Sequence, residues 1–223
     1  MNFVEYPDRE LMMLSLANTI AGELADFLRR EGRASFCVPG GTTPGPVFET
    51  LSGVDIDWGN VTVFLGDERW VDEDDPRSNT RLLRERLLKG RAAAARLVPL
   101  HAAAETPEAM LDTLAAGIVP HLPISVLLLG MGEDMHTASL FPGADRLAQA
   151  MAADAPVLMA LRAQAAGEPR ITLTAKVLRG AMVTHILITG AEKRASLERA
   201  PNLTEIEAPV KAVLANATVH WAE

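Results

Sequence analysis

The chain has 223 residues, 48% of them apolar and only 4% aromatic, with a formal charge of −8. That size suits a single domain over 1–223, with room for a small accessory lobe, and the charge argues against nucleic acid or an anionic membrane surface as partner. An anionic small molecule remains open, but it requires a local site built from arginine, lysine or backbone N–H groups.

The N-terminal residues lack a basic start followed by an apolar run, so they do not read as a signal peptide, and no apolar stretch reaches the ~18–20 residues of a membrane span. Asp8 to Arg30 predicts a helix capped by Asp8, with Leu11, Leu14, Ala17, Ala21, Leu24 and Leu28 recurring at helical steps. Ser35–Val38 predicts a strand. It contains Cys37, the only cysteine, which excludes an intrachain disulfide or cysteine-rich metal cluster, fits a reducing, cytoplasmic compartment and reads as a core residue. A helix follows from near Pro44 to about Leu51, then a strand over Val61–Leu65 and a helix over Ser78–Leu88 with Ser78 as cap. Thr106-Pro107 opens another helix, with threonine as cap and proline in the first position. Ile124–Leu129 is a near-continuous apolar strand, as expected where both sheet faces are covered. Pro156–Leu161, Arg170–Thr174, Thr184–Thr189 and Thr218–Trp221 are further extended segments. Helices are expected from Glu192 and over Val210–Leu214. Strands alternating with helices indicate an α/β fold, a Rossmann-like doubly wound sheet, mostly parallel, with helices on both faces and ligands at the carboxyl ends of the strands.

The polar loops that follow these strands carry the chemistry. In Pro39-Gly40-Gly41-Thr42-Thr43-Pro44, glycines admit close approach of an anion, Thr43 can cap the helix, and the helix start offers free N–H groups to a phosphate. Gly66-Asp67-Glu68-Arg69 places charge at a strand end, where burial demands partners. It reads either as an exposed loop or as a site in which Arg69 stabilises an oxyanion. Ser78-Asn79 is expected to shape the same pocket. In the segment 130–142, Asp134 and His136 lie two residues apart, the pattern of a general base oriented by a carboxylate. The other histidines, His101, His121, His185 and His220, read as unengaged. Arg170 precedes an alternating strand. Lys193 sits in the first turn of a helix, against the helix dipole, which makes sense if it meets an anion; a solvated charge is the alternative.

Together these segments resemble the 6-phosphogluconolactonase family. The resemblance rests on Gly40-Gly41-Thr42-Thr43-Pro44, on Gly66-Asp67-Glu68-Arg69 with Ser78-Asn79, on Leu129–Gly143, on Arg170–Thr174 and on Gly190-Ala191-Glu192-Lys193. They fall in the family's order over nearly the whole chain, and the long block is the most specific of them. The resemblance implies a fold shared with glucosamine-6-phosphate deaminases and hydrolysis of 6-phospho-D-glucono-1,5-lactone without a cofactor or metal. It implies His136 as the base, Asp134 as its orienting partner and Arg69 as the charge stabiliser. Gly40, Gly41, Thr42, Thr43, Arg170 and Lys193 would bind phosphate, and Asp67 sugar hydroxyls. A monomer or a homodimer is expected. Two other readings are a sugar-phosphate deaminase or isomerase and a non-catalytic sugar-phosphate sensor, the latter disfavoured by the lack of a basic DNA-binding module. One departure is Met135, where the family carries glycine: either φ there is negative or the loop is strained.

Overall fold

The computed structural model describes residues 1–223. In chain order the elements are β1 (Asn2–Glu5), α1 (Arg9–Glu31), β2 (Ala34–Val38), α2 (Gly45–Ser52), β3 (Val61–Leu65), β4 (Asp67–Arg69), α3 (Asn79–Arg86), β5 (Arg96–Leu97) and α4 (Leu111–Ile118). They continue with β6 (Val126–Gly130), α5 (Leu147–Met151), β7 (Leu158–Leu161), β8 (Arg170–Leu173), α6 (Ala175–Arg179), β9 (Val183–Thr189), α7 (Ala191–Arg199), α8 (Lys211–Leu214) and β10 (Ala217–Ala222).

Seven strands form one sheet in the order β1-β10-β9-β6-β2-β3-β5, and every neighbouring pair is parallel. All residues of β2 and β3 are buried, because both faces of such a sheet are covered. The chain moves one way from β2 to β3 and the other way from β6 to β9, so the strand order reverses between β2 and β6. The crevice at that reversal is where doubly wound sheets bind ligands.

The accessory lobe is a second, antiparallel sheet of three strands, β4-β8-β7. Gly66 ties it to the first. Its N–H donates to Val38 O and its carbonyl accepts from Leu173 N, each at 2.9 Å. The chain therefore steps from β3 in one sheet to β4 in the other across a single residue.

Asp8 caps α1 as expected, its carboxylate accepting from Leu11 N at 2.7 Å, and Gly32 ends the helix in the left-handed region at φ 70. The face that α1 buries is partly the expected one: Ala17, Ala21 and Leu24 are buried, but Leu11 and Leu14 are 44% and 48% exposed, and Met12, Leu16 and Ile20 are fully buried in their place. The helix carries more apolar residues than one face can hold, and the richer stripe faces the core. By length and composition α1 is also apolar enough to cross a membrane, which corrects the expectation that no segment is; here one stripe of it, with Met12, Leu16, Ile20 and Leu24, is buried in the core.

His185 and His220 are not unengaged. Both are buried in a chain that runs from Glu23 through His185 Nε2 at 2.8 Å, from His185 Nδ1 to His220 Nε2 at 3.0 Å, and from His220 Nδ1 to the Tyr6 hydroxyl at 2.9 Å. The carboxylate only accepts, so with both rings neutral each later donor is fixed in turn back to Tyr6. Burial, and then the neighbouring His185, push the His220 pKa down to about 4.

Candidate active site

A cleft of about 350 Å³ opens at the reversal between β2 and β6 and is lined by residues from the segments 39–44, 67–79, 129–141, 165–170 and 187–193. It is large enough for a small metabolite.

The first wall is the turn after β2. Gly40, Gly41 and Thr43 line the cleft. Gly41 has φ 79, a conformation natural only to glycine. Gly40 is required for a different reason: a Cβ there would lie 2.1 Å from the Asn79 side chain. Thr42 itself does not line the cleft but an adjoining open groove, with Arg9 and Thr50. One expectation fails at this turn. Thr43 makes no side-chain cap, and Pro44 precedes the helix instead.

The second wall is β4 with the start of α3. Asp67 and Glu68 are buried and do not form an exposed loop. Glu68 accepts from Arg69 N at 2.8 Å, Asn79 N at 2.9 Å, Thr80 N at 2.7 Å, Thr80 Oγ1 at 2.8 Å and Ser78 Oγ at 3.3 Å. These donors offset the desolvation of a buried carboxylate. They also fix Asn79, which in turn accepts from Arg69 at 3.1 Å and donates to Asp67 O at 3.2 Å. Arg69 lines the cleft and is further held by Arg77 O at 2.7 Å and by Glu168 at 3.3 Å. Asp67 accepts from Ser139 Oγ at 2.5 Å and lies 3.7 Å from Arg170.

The third wall is the loop after β6. His136 Nδ1 meets Asp134 Oδ1 at 2.5 Å, and the same oxygen accepts from His136 N at 3.1 Å. With a carboxylate on Nδ1, the neutral ring carries its proton there and leaves Nε2 as the free acceptor. Burial is the largest influence on the Asp134 carboxyl and pushes it up, yet the bonds from His136 together hold it below the usual carboxylate range. His136 packs against Phe141, with ring centroids 4.2 Å apart. A Cβ on Gly132 would fall 2.2 Å from His136 Nδ1 and 2.5 Å from Asp134 Oδ1, so only glycine leaves room for the pair.

Met135 lies at φ 65 and Ala138 at φ 48, the only non-glycine residues with positive φ. The loop is thus in the strained alternative of the two expected for Met135. Strain of this kind persists where the surroundings over-determine it. Here the Met135 side chain is buried in the core and its carbonyl accepts from Val210 N at 3.0 Å.

Arg170 and Lys193 close the cleft. Arg170 is buried, and its Nε is the only buried side-chain nitrogen or oxygen without a hydrogen-bond partner. Burial, partly opposed by Asp67, lowers its pKa. Lys193 projects from the first turn of α7. No candidate metal cluster of histidine, cysteine, aspartate or glutamate occurs anywhere in the chain.

The structure therefore brings His136, Asp134, Arg69, Asp67, Gly40, Gly41, Thr43, Arg170 and Lys193 to one place and leaves Thr42 in the adjoining groove. Sequence reasoning missed Ser139 and Glu168 as partners of Asp67 and Arg69, and missed Glu68 as the residue that saturates the start of α3. The signal available for Glu68 was an acid at the end of a buried strand followed by a helix start rich in hydroxyls, Ser78 and Thr80.

The family described as glucosamine-6-phosphate isomerases/6-phosphogluconolactonase matches residues 7–221. The chain belongs to this family. Among its members, a 6-phosphogluconolactonase of Rhizobium meliloti (strain 1021) is 42% identical over 216 residues, covering 93% of both chains. That of Pseudomonas aeruginosa is 40% identical over 215 residues, covering 92% of this chain and 88% of its own. The crystal structure of a 6-phosphogluconolactonase from Shewanella baltica OS155 superposes with a TM-score of 0.96 at 33% identity, covering 100% of this chain and 98% of that one. A monomeric glucosamine-6-phosphate deaminase shares the fold at 17% identity with a TM-score of 0.82.

Proposed function

We propose that the chain is a lactone hydrolase of the oxidative pentose phosphate pathway that converts 6-phospho-D-glucono-1,5-lactone to 6-phospho-D-gluconate. The observation that carries this reading is the His136–Asp134 pair, held at 2.5 Å in a cleft that also holds two cations without a saturating partner set. Nε2 of His136 takes a proton from water, and the hydroxide adds to the lactone carbonyl carbon. Negative charge passes to the carbonyl oxygen beside Arg69. When the tetrahedral centre collapses, the ring C–O bond breaks and the leaving alkoxide recovers the proton from His136. The products are a free hydroxyl and a carboxylic acid, which releases its proton to solvent to become the carboxylate, and no cofactor or metal enters the balance.

Arg170, Lys193 and the backbone N–H groups of Gly40, Gly41 and Thr43 bind the phosphate, and Asp67 meets sugar hydroxyls. The free Nε of Arg170 supports its assignment to an anion. A positioned base contributes about 10²–10⁴-fold and one oxyanion donor on the order of 3 kcal/mol. Phosphate binding supplies the orientation. The enzyme acts in the cytoplasm, as a monomer or homodimer.

The test is turnover of freshly generated lactone, coupled to 6-phosphogluconate dehydrogenase and corrected for spontaneous hydrolysis. Acceleration that His136→Ala abolishes without loss of folding is expected. A folded wild type that gives no acceleration, or a His136→Ala variant that keeps full turnover, would sink the assignment.

A further inference from the structure

A second cavity, about 300 Å³, lies at the opposite edge of the large sheet, around the amino ends of β2, β3 and β6, and shares no lining residue with the catalytic cleft. Arg33 enters it beside the start of β2 and Arg96 from the start of β5, with β3 between them. The two strands are thus two spacings apart, ~10 Å, a gap that long side chains can close around a compact ligand.

Neither arginine rests on a carboxylate. Several exposed arginines elsewhere do, among them Arg29 on Asp26, Arg86 on Glu49 and Arg91 on Asp55. In a chain of net charge −8, with carboxylates in excess, two cations left unpaired at one cavity form a local positive site. Glu31 also lines this cavity and makes no ion pair with either. The floor is polar and fixed. Ser35 and Ser125 are buried, each backbone N–H donates to the other's hydroxyl at 3.0 and 2.9 Å, and the hydroxyls are 3.3 Å apart.

We propose that this cavity is a second, non-catalytic binding site for a small polyanion of the phosphate or polycarboxylate class, clamped between Arg33 and Arg96. His121, which also lines the cavity, reports the field there: burial first, then Arg96 and Arg33, hold its pKa below the ordinary histidine value. The charged groups facing it are Arg33, Arg96 and Glu31. Two charge-assisted contacts of this kind dominate the affinity of a small anion. β2, β3 and β6, which begin here, end at the three catalytic loops, so both sites can be filled at once.

The probe is inorganic pyrophosphate, followed by the NMR titration of the His121 ring and the backbone amides of the whole chain. Pyrophosphate is expected to shift Ser35, Thr62 and Ser125 saturably, to raise the His121 pKa, and to bind here at least about tenfold more weakly to Arg33→Ala/Arg96→Ala. Both substitutions are on the surface and leave lactone turnover in the absence of pyrophosphate unchanged. Shifts confined to Gly41, Gly132 and Lys193 would overturn the proposal. So would shifts reproduced by sodium chloride at equal ionic strength, or by the double variant at the same concentration.

Discussion

Two loops leave parallel strands that flank β2 and hold their charged residues in opposite ways. After β3, Glu68 is buried and surrounded by donors at 2.7–3.3 Å, and nothing about it is reactive. After β6, Asp134 and His136 remain partly open to the cleft, held by one short bond and by a backbone with φ 65 at Met135 and φ 48 at Ala138. The first loop spends its carboxylate on rigidity: Glu68 locks Asn79, and Asn79 steadies Arg69. The second keeps a nitrogen free at the cost of backbone strain. A catalytic cleft needs both, because a base acts only against a substrate held still.

The contrast can be broken most sharply at Gly132. A methyl group there displaces both members of the pair, so Gly132→Ala should lose about as much turnover as deletion of the base, roughly 10²–10⁴-fold, with little change in melting temperature. Retained activity would mean that the pair is not fixed by its loop. Glu68→Gln should act in the reverse sense. An amide has one acceptor oxygen and turns an NH₂ toward backbone N–H donors, so a stability loss of about 3 kcal/mol is expected in urea unfolding, with a weaker fall in turnover through Arg69. An unchanged urea midpoint would remove the claim that this carboxylate is structural.

The histidine chain beneath α1 gives a calibration of similar size for buried polar groups outside the cleft. The folded-state pKa of His220 is about 4, against an ordinary 6.5. Between these values the unfolded chain binds more protons than the folded one, so stability falls as pH drops from about 6.5 to 4, by roughly 3 kcal/mol. Above 6.5 this contribution is constant. His220→Gln should flatten the slope of urea midpoint against pH in that window; an unaltered slope would assign the effect elsewhere. The smallest effect is expected at Met135. Glycine relieves about 1–2 kcal/mol of left-handed strain but forfeits a buried side chain worth about 1.5–3 kcal/mol. Met135→Gly should therefore lose about 1 kcal/mol and keep turnover within a few-fold. A larger fall in turnover would show that the methionine also sets the pose of His136.

The large sheet was legible because its inner strands are runs of apolar residues bounded by glycine or proline, as at Val61–Leu65, where expectation and structure coincide. β4 was not, since Asp67-Glu68-Arg69 reads as a solvent loop until Ser139, 72 residues away, and the start of α3 are brought to it. The short edge strands β1 and β5 carry too little pattern to stand out. In the site, the identities of the reactive residues were readable from their place after strands. The exact lining was not: Thr42 falls in the groove beside the cleft. His185 and His220 looked unengaged because their partners come from α1 and from the segment before it.

Gly66 is bonded on one side to Val38 and on the other to Leu173, and so fastens the two sheets together at the back of the cleft. His136 stands on the loop of one sheet and Arg170 on a strand of the other. With that seam intact, the span between base and anion-binding cation behaves as a gauge of set length. A lactone whose anionic group sits one bond nearer to its carbonyl would reach one end of the gauge or the other, never both.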